Sequence, residues 1–224
     1  LTSISDRAVG SVSQAGHGWV SSSYGMLGGL RIGLMNRCDE ADVAEVARIL
    51  YEGLGDKLGV VFGSLNTFKR FLLASINCSM GVAAVLNERV VGFAGLKTES
   101  DSWIRPRVRE LLKALGPFRL TRFAVLGLPL HYGPAPSEVL IDVLAVDGRF
   151  RGRGIGTSLI RFVLDYGRGA SMRRVKLYVA DRNERARRLY ERLGFSVSRV
   201  VSIPFPYNRI YGIRHMYEMI QELR

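Results

Sequence analysis

The chain has 224 residues, of which 47% are hydrophobic and 23% charged. That balance suits one globular domain with a sizeable core and excludes a disordered or fibrous chain. A count of 32 Lys+Arg against 20 Asp+Glu leaves a net charge of +12, which favours anionic partners: a phosphorylated cofactor, nucleic acid or an acidic surface.

Cysteine and histidine are sparse. Cys38 and Cys78 lie far apart and form no CxxC pair, so a disulfide framework and a zinc ribbon are excluded. They are read as free, buried thiols of a reducing compartment, hence a cytoplasmic location, with a single bridge as the alternative. His17, His131 and His215 are isolated, and no metal centre is expected.

Residues 1–28 are rich in Ser and Gly and lack the apolar run of a secretory signal. They are read as a flexible N-terminal extension, within which Met26 is one candidate for the native start. Leu30 to Met35 predicts a strand. Asp39 or Asp42 can cap the helix that follows, where Val43, Val46, Ala47 and Leu50 recur at helical spacing. Gly53 to Gly63 reads as a glycine-punctuated connection, and Asn66 to Ile76 as a second helix. Met80 to Leu96 predicts a hairpin turning at Asn87-Glu88-Arg89. Arg107 to Leu115 is helical and ends near Gly116. Phe118 to Leu130 is apolar but interrupted by Gly127 and Pro129, too short and broken to span a bilayer. It is expected to pack on the domain or line its cleft. No repeat and no second domain is visible.

The most informative stretch runs from Glu138 to Phe195. Val139 to Val146 is apolar except for Asp142 and predicts a strand buried on both faces. Gly152, Gly154 and Gly156 follow, and a helix with an apolar stripe begins at Thr157. A glycine loop that opens a helix turns free N–H groups toward an anion at the positive end of the dipole. No Lys follows Gly156, which rejects a P-loop, and the glycine spacing is wrong for a dinucleotide fingerprint. The pattern that remains is R-x-x-G-x-G, carried by Arg151, Gly154 and Gly156.

Two blocks of residues resemble the GNAT superfamily of acetyl-CoA-dependent N-acetyltransferases. The first is Leu144-Ala145-Val146, then Arg151-Gly152-Arg153-Gly154-Ile155-Gly156. The second is Asn183-x-x-Ala186-x-x-Leu189-Tyr190-x-x-x-Gly194-Phe195. The resemblance spans about residues 30–220. It implies an α/β fold with a central mixed, mostly antiparallel twisted sheet. The family's fourth and fifth strands splay apart in that sheet, and helices flank both faces. It implies a single domain over 29–224 with an enlarged insertion at about 100–135.

By the same resemblance the backbone of Leu144, Ala145 and Val146 pairs with the pantetheine arm of acetyl-CoA. The amides of Arg151, Gly152, Arg153, Gly154, Ile155, Gly156 and Thr157 hold its pyrophosphate. Asn183 contacts the cofactor or caps the next helix, with Ala186 beside it. Tyr190 is the implied general acid for the CoA thiolate; its bland reading is a core tyrosine. An ammonium near pKa 10 must lose a proton before it attacks. Glu138, at the opening of the buried strand, is the first candidate base by resemblance to histone-acetylating members. Asp142 is the second, being four residues on and so on the same face of a regular strand. Ribosomal-protein acetyltransferases carry a glutamate five residues before the motif Asn, where this chain has Tyr178. That base is absent. The tail from Ile203 to Leu223 predicts a strand or hairpin whose aromatics either floor the acceptor pocket or pack in the core.

The expected activity is transfer of acetyl from acetyl-CoA to a primary amine, small molecule or protein, by direct attack in a ternary complex. A homodimer is left open, and no membrane is expected. The rival is a basic adaptor of the same fold that binds RNA or the ribosome with little catalysis, for which the charge is the argument.

Overall fold

The computed structural model describes residues 19–22, 29–127 and 133–223. One sheet of eight strands organises them, in the order β1-β2-β3-β4-β5-β6-β8-β7. The strands are β1 (Trp19–Ser22), β2 (Arg31–Met35), β3 (Gly81–Leu86), β4 (Arg89–Lys97), β5 (Glu138–Val146), β6 (Arg174–Ala180), β7 (Ser196–Ser202) and β8 (His215–Glu222). Only β5 and β6 run parallel; every other pair is antiparallel. The β3–β4 hairpin turns at Asn87 and Glu88, both at positive φ, which suits the twist of its strands.

Six helices complete the described fold: α1 (Glu40–Phe62), α2 (Leu65–Ser75), α3 (Val108–Gly127), α4 (Ile155–Gly169), α5 (Glu184–Arg192) and α6 (Tyr207–Tyr211). Both predicted caps of α1 act together. Asp39 accepts from the Asp42 amide and Asp42 answers at the Asp39 amide, a reciprocal capping box. Ser64 caps α2 by accepting from the Thr67 amide. Helices cover both faces of the sheet, as the pleat shows. Gly92 of β4 faces Ile155 and Leu159 of α4, while Ala145, the partner of the next residue Phe93, faces Gly53 of α1.

Four local expectations change. Gly53 to Gly63 is not a connection; α1 runs through it with a kink at Leu54. Glycine weakens a helix, but here a Cβ at Gly53 would stand 3.2 Å from that of Ala145. Close packing on β5 uses the residue that propensity disfavours. Similarly, α3 continues past Gly116, which takes φ 76° before Pro117. Its second half carries Phe123 onto Phe62 and Phe71, with ring centroids 5.7 and 4.9 Å away. Among the described residues no helix is long and apolar enough to cross a membrane.

The third change concerns residues 1–28. Trp19–Ser22 pairs with β2 as an edge strand; the rest of that segment lies outside the described residues. The fourth corrects the cysteines. Cys38 and Cys78 are joined as a disulfide with Cα atoms 6.1 Å apart, tying the end of β2 to the turn before β3. The argument for a reducing compartment therefore falls away.

Candidate active site

The decisive local event is a bulge in β5. Gly95 of β4 pairs with Val143 and Leu96 with Ile141, leaving Asp142 as the extra residue. A bulge bends a strand and re-aims its side chains. Below it, Glu138–Ile141 pairs with Arg174–Leu177 of β6. Above it, β5 keeps only β4, and Tyr178–Ala180 keeps only β8. The two strands part, so β5 over Asp142–Val146 has no strand partner on that side. A cavity of about 560 Å³ fills the split, within the range of small-molecule sites. Its lining includes Asp142, Val143 and Leu144 on one strand, Tyr178, Val179 and Ala180 on the other, and Asn183 and Tyr190 beyond.

At the end of β5 the chain enters the glycine loop. Asp147 is buried and accepts from the Arg149 amide at 2.9 Å, the Arg149 guanidinium at 2.7 Å and Arg48 of α1 at 2.6 Å. Arg149 foremost, then Arg48, holds its carboxyl well below the usual range, against the upward push of burial. Arg149 is thus spent on structure. Arg151 and Arg153 stay exposed, and Arg151 Nε also donates to the Val146 carbonyl at 3.1 Å. Gly152 and Gly154 take φ 81° and 82° with open space where a Cβ would be. The Ser158 amide bonds back to the Gly154 carbonyl at 3.0 Å. The amides at the tip of α4 before it have no carbonyl one turn back within the helix. They form a cradle suited to phosphate oxygens.

The two candidate bases part company. Glu138 has a side chain only 5% exposed and does not line the cavity. Lys176 Nζ stands 2.6 Å from it, Arg174 Nε 3.2 Å, and the Ala135 amide donates at 2.8 Å. Burial pushes its carboxyl up, but Lys176, the Ala135 amide and Arg174 outweigh that and hold it below the ordinary value. Glu138, the first candidate base, thus lies beneath the split as a buried and paired anion, away from the cavity lining. Asp142 reaches the cavity wall and is 20% exposed. The assumption that the two share a face holds only for a regular strand, and the bulge breaks the alternation. Trp103 Nε1 donates to Asp142 at 2.7 Å and Lys97 Nζ lies 2.9 Å away.

Tyr190 is buried on α5 and lines the cavity. Burial pushes its hydroxyl up to about 12, so it keeps its proton at neutral pH. Asn183 caps α5 through the Ala186 amide at 3.2 Å and also faces the cavity. Leu144 lines the cavity, whereas Ala145 is buried toward α1. The aromatic tail is not part of the lining; Met216 alone represents it among the described residues. Tyr207 and Tyr211 instead donate to the Val125 and Leu126 carbonyls at the end of α3.

Several residues escaped the sequence reading. Trp103 lies flat on Gly95, where a Cβ would come within 2.5 Å of its ring. Lys97 lies across the sheet from Asp142, and Lys57 of α1 enters the cavity. Tyr178 donates to Glu218 of β8 at 2.7 Å, with Ser198 and Arg199 on the same carboxylate. Each pairing is long-range, and nothing in the local pattern announces it.

The profile of the Acetyltransferase (GNAT) family matches residues 62–195, more than half of the chain. The chain belongs to the GNAT acetyltransferase family. An uncharacterised N-acetyltransferase of Methanocaldococcus jannaschii is 44% identical over 61 residues, 27% of each chain. A mycothiol acetyltransferase of Beutenbergia cavernae is 37% identical over 98 residues, 44% of this chain and 31% of its own. The chain thus spans about a third or less of the length of these relatives. Among solved structures, an N-acetyltransferase from Staphylococcus aureus superposes with a TM-score of 0.57 at 18% identity. It covers 82% of this chain and 97% of its own, which establishes the shared GNAT fold, a mixed and mostly antiparallel sheet flanked by helices.

Proposed function

We propose that this GNAT protein transfers acetyl from acetyl-CoA to a primary amine held in the cavity between α1, α3 and the parted strands. The observation that carries this reading is the split itself, a free strand edge that leads into an amide cradle. The edge of Leu144, Ala145 and Val146 suits the amides of a pantetheine arm. The amides from Arg151 to Thr157 suit a pyrophosphate, with Arg151 and Arg153 adding charge. Asn183 bounds the opposite side. Acetyl-CoA would supply an acyl group activated as a thioester.

The residues of the chain divide the proton traffic. An alkyl ammonium has no lone pair for attack and must first be deprotonated. Asp142, at the cavity wall, is the carboxylate that takes this proton, directly or through one water. Trp103 and Lys97 fix its orientation. Tyr190 Oη, still protonated at neutral pH, gives a proton to the departing thiolate. Neither cysteine is a free thiol near the split, so attack by the amine itself is preferred to an acyl-enzyme.

Acceptor-dependent thiol release from acetyl-CoA, measured over a panel of amines, tests the reading. Release that depends on the amine, together with an acetylated product of matching mass, is the expected result. Salt-sensitive RNA binding without turnover would replace it with the adaptor reading.

A further inference from the structure

The cavity is lined on its helical side by residues that the parted strands do not supply. Its wall there is apolar and aromatic: Phe62 of α1, Phe68 and Phe71 of α2, and Phe123 of α3. These rings form one cluster, with Phe62 at 5.0 Å from Phe68 and 4.8 Å from Phe71. Three charged side chains line the cavity among the described residues: Lys57, Lys97 and Asp142. Lys97 and Asp142 answer each other. Lys57 has no salt bridge or hydrogen bond within the described residues; burial pushes its ammonium below the ordinary lysine value, and Asp181 and Asp56 oppose that only through the longer-range field.

A half-buried ammonium on the wall of a largely apolar cavity is costly unless an anion meets it. It also repels an incoming ammonium. An amine acceptor would bind there only if it brought its own negative charge. For the cofactor's phosphates the suited place is the amide cradle at the start of α4, with Arg151 and Arg153 exposed beside it. The pantetheine arm and the thioester are uncharged.

We propose that the acceptor is an amine with an aromatic-sized apolar body and a carboxylate, and that Lys57 is the specificity residue that receives the carboxylate. This rests on the acetyltransferase reading of the same cavity. The Phe62, Phe68, Phe71 and Phe123 wall takes the apolar body, and the amine is left toward Asp142 and the split. Free hydrophobic amino acids have this chemistry. Polyamines do not, and neither do peptide N-termini, whose α-carboxylate is an amide.

The experiment compares phenylalanine, phenylalaninamide, phenethylamine and spermidine as acceptors for the full chain, with acetyl-CoA binding measured separately by calorimetry. Phenylalanine is expected to show a KM at least about tenfold below those of its amide and its decarboxylated amine, because those leave Lys57 unanswered. Lys57→Met should raise the KM for phenylalanine by at least about tenfold and erase the preference. Lys57→Arg, which keeps the charge, should retain it. Acetyl-CoA affinity should not move in either variant. Equal KM values for acid and amide, a preference for spermidine, no turnover of any panel member, or a uniform fall in kcat in Lys57→Met would each overturn the proposal. If acetyl-CoA binds but the preference is missing, this inference fails alone. If acetyl-CoA does not bind, the acetyltransferase reading fails with it.

Discussion

The start and the middle of β5 carry a carboxylate each, and the strand treats them in opposite ways. At Glu138 the strand is paired with β6, and two cations and an amide enclose the side chain. At Asp142 one neighbour has gone, and the carboxylate stands at the wall of a cavity with an indole and one lysine to steady it. One strand therefore both closes the sheet and opens the site, and the bulge at Asp142 is where the change occurs. Carboxylates of the same apolar strand differ in their surroundings because their strand neighbours differ.

Asp142→Asn offers the strongest way to break this contrast. It removes the proton acceptor but keeps an oxygen for Trp103 and Lys97. The expected loss is about 10²–10⁴ in kcat, the range for a general base, with acetyl-CoA affinity unchanged. A kcat within about twofold of the parent would return the proton to water or to another group.

The companion change is Glu138→Ala. It strands Lys176, itself buried, and breaking one side of such a pair costs about 3–5 kcal/mol of stability. The kcat of the folded fraction should not move. The pH dependence has a fixed sign. The carboxyl is held below its ordinary value, so its contribution is fully present above the unfolded carboxylate range and disappears as pH falls through the lowered one. Acid unfolding of Glu138→Gln should therefore lack one component seen in the parent. Identical acid transitions would show that the pairing carries no stability.

Much of the cofactor half was legible because its chemistry is contiguous in the chain. Arg151, Gly154 and Gly156 stand in one loop, Asn183 and Tyr190 on one helix, and both patterns fold locally into the geometry they imply. Which of the two candidate carboxylates faces the cavity was illegible for a physical reason. Whether Asp142 shares a face with Glu138 depends on a bulge, and the bulge exists only in the register between β5 and β4. The helical, aromatic wall of the cavity was obscured similarly. Gly53 and Gly55 disguise a helix whose glycine is required by Ala145, and Phe123 joins Phe62 only after α3 is built. Cys38 and Cys78 meet across two elements that their sequence separation of 40 does not connect.

Gly95→Ala perturbs the support of Asp142 without touching it. The new methyl would fall 2.5 Å from the Trp103 ring, and overpacking of this kind costs about 1–3 kcal/mol. Trp103 must shift, and its hydrogen bond to Asp142 shifts with it. Thermal unfolding should show the destabilisation, and kcat should fall with little change in acetyl-CoA affinity. If stability falls while kcat holds, the indole is packing alone and does not position the carboxylate.

Asn183 sharpens the contrast at the smallest scale, because one side chain both caps α5 and borders the split. Asn183→Ala should lose about 1 kcal/mol of stability, the usual value for a cap, and should weaken acetyl-CoA binding as well. Asn183→Asp separates the two roles. An aspartate caps as well as asparagine and suits the positive end of the helix, so stability should return. It offers no N–H to the cofactor and brings a negative charge to a site built for an anionic ligand, so affinity for acetyl-CoA should stay low. Calorimetry of binding beside thermal unfolding reads both quantities. If Asn183→Asp restores affinity along with stability, the residue is a cap alone, and the opposite wall of the split must be assigned to the strand edge of Tyr178–Ala180.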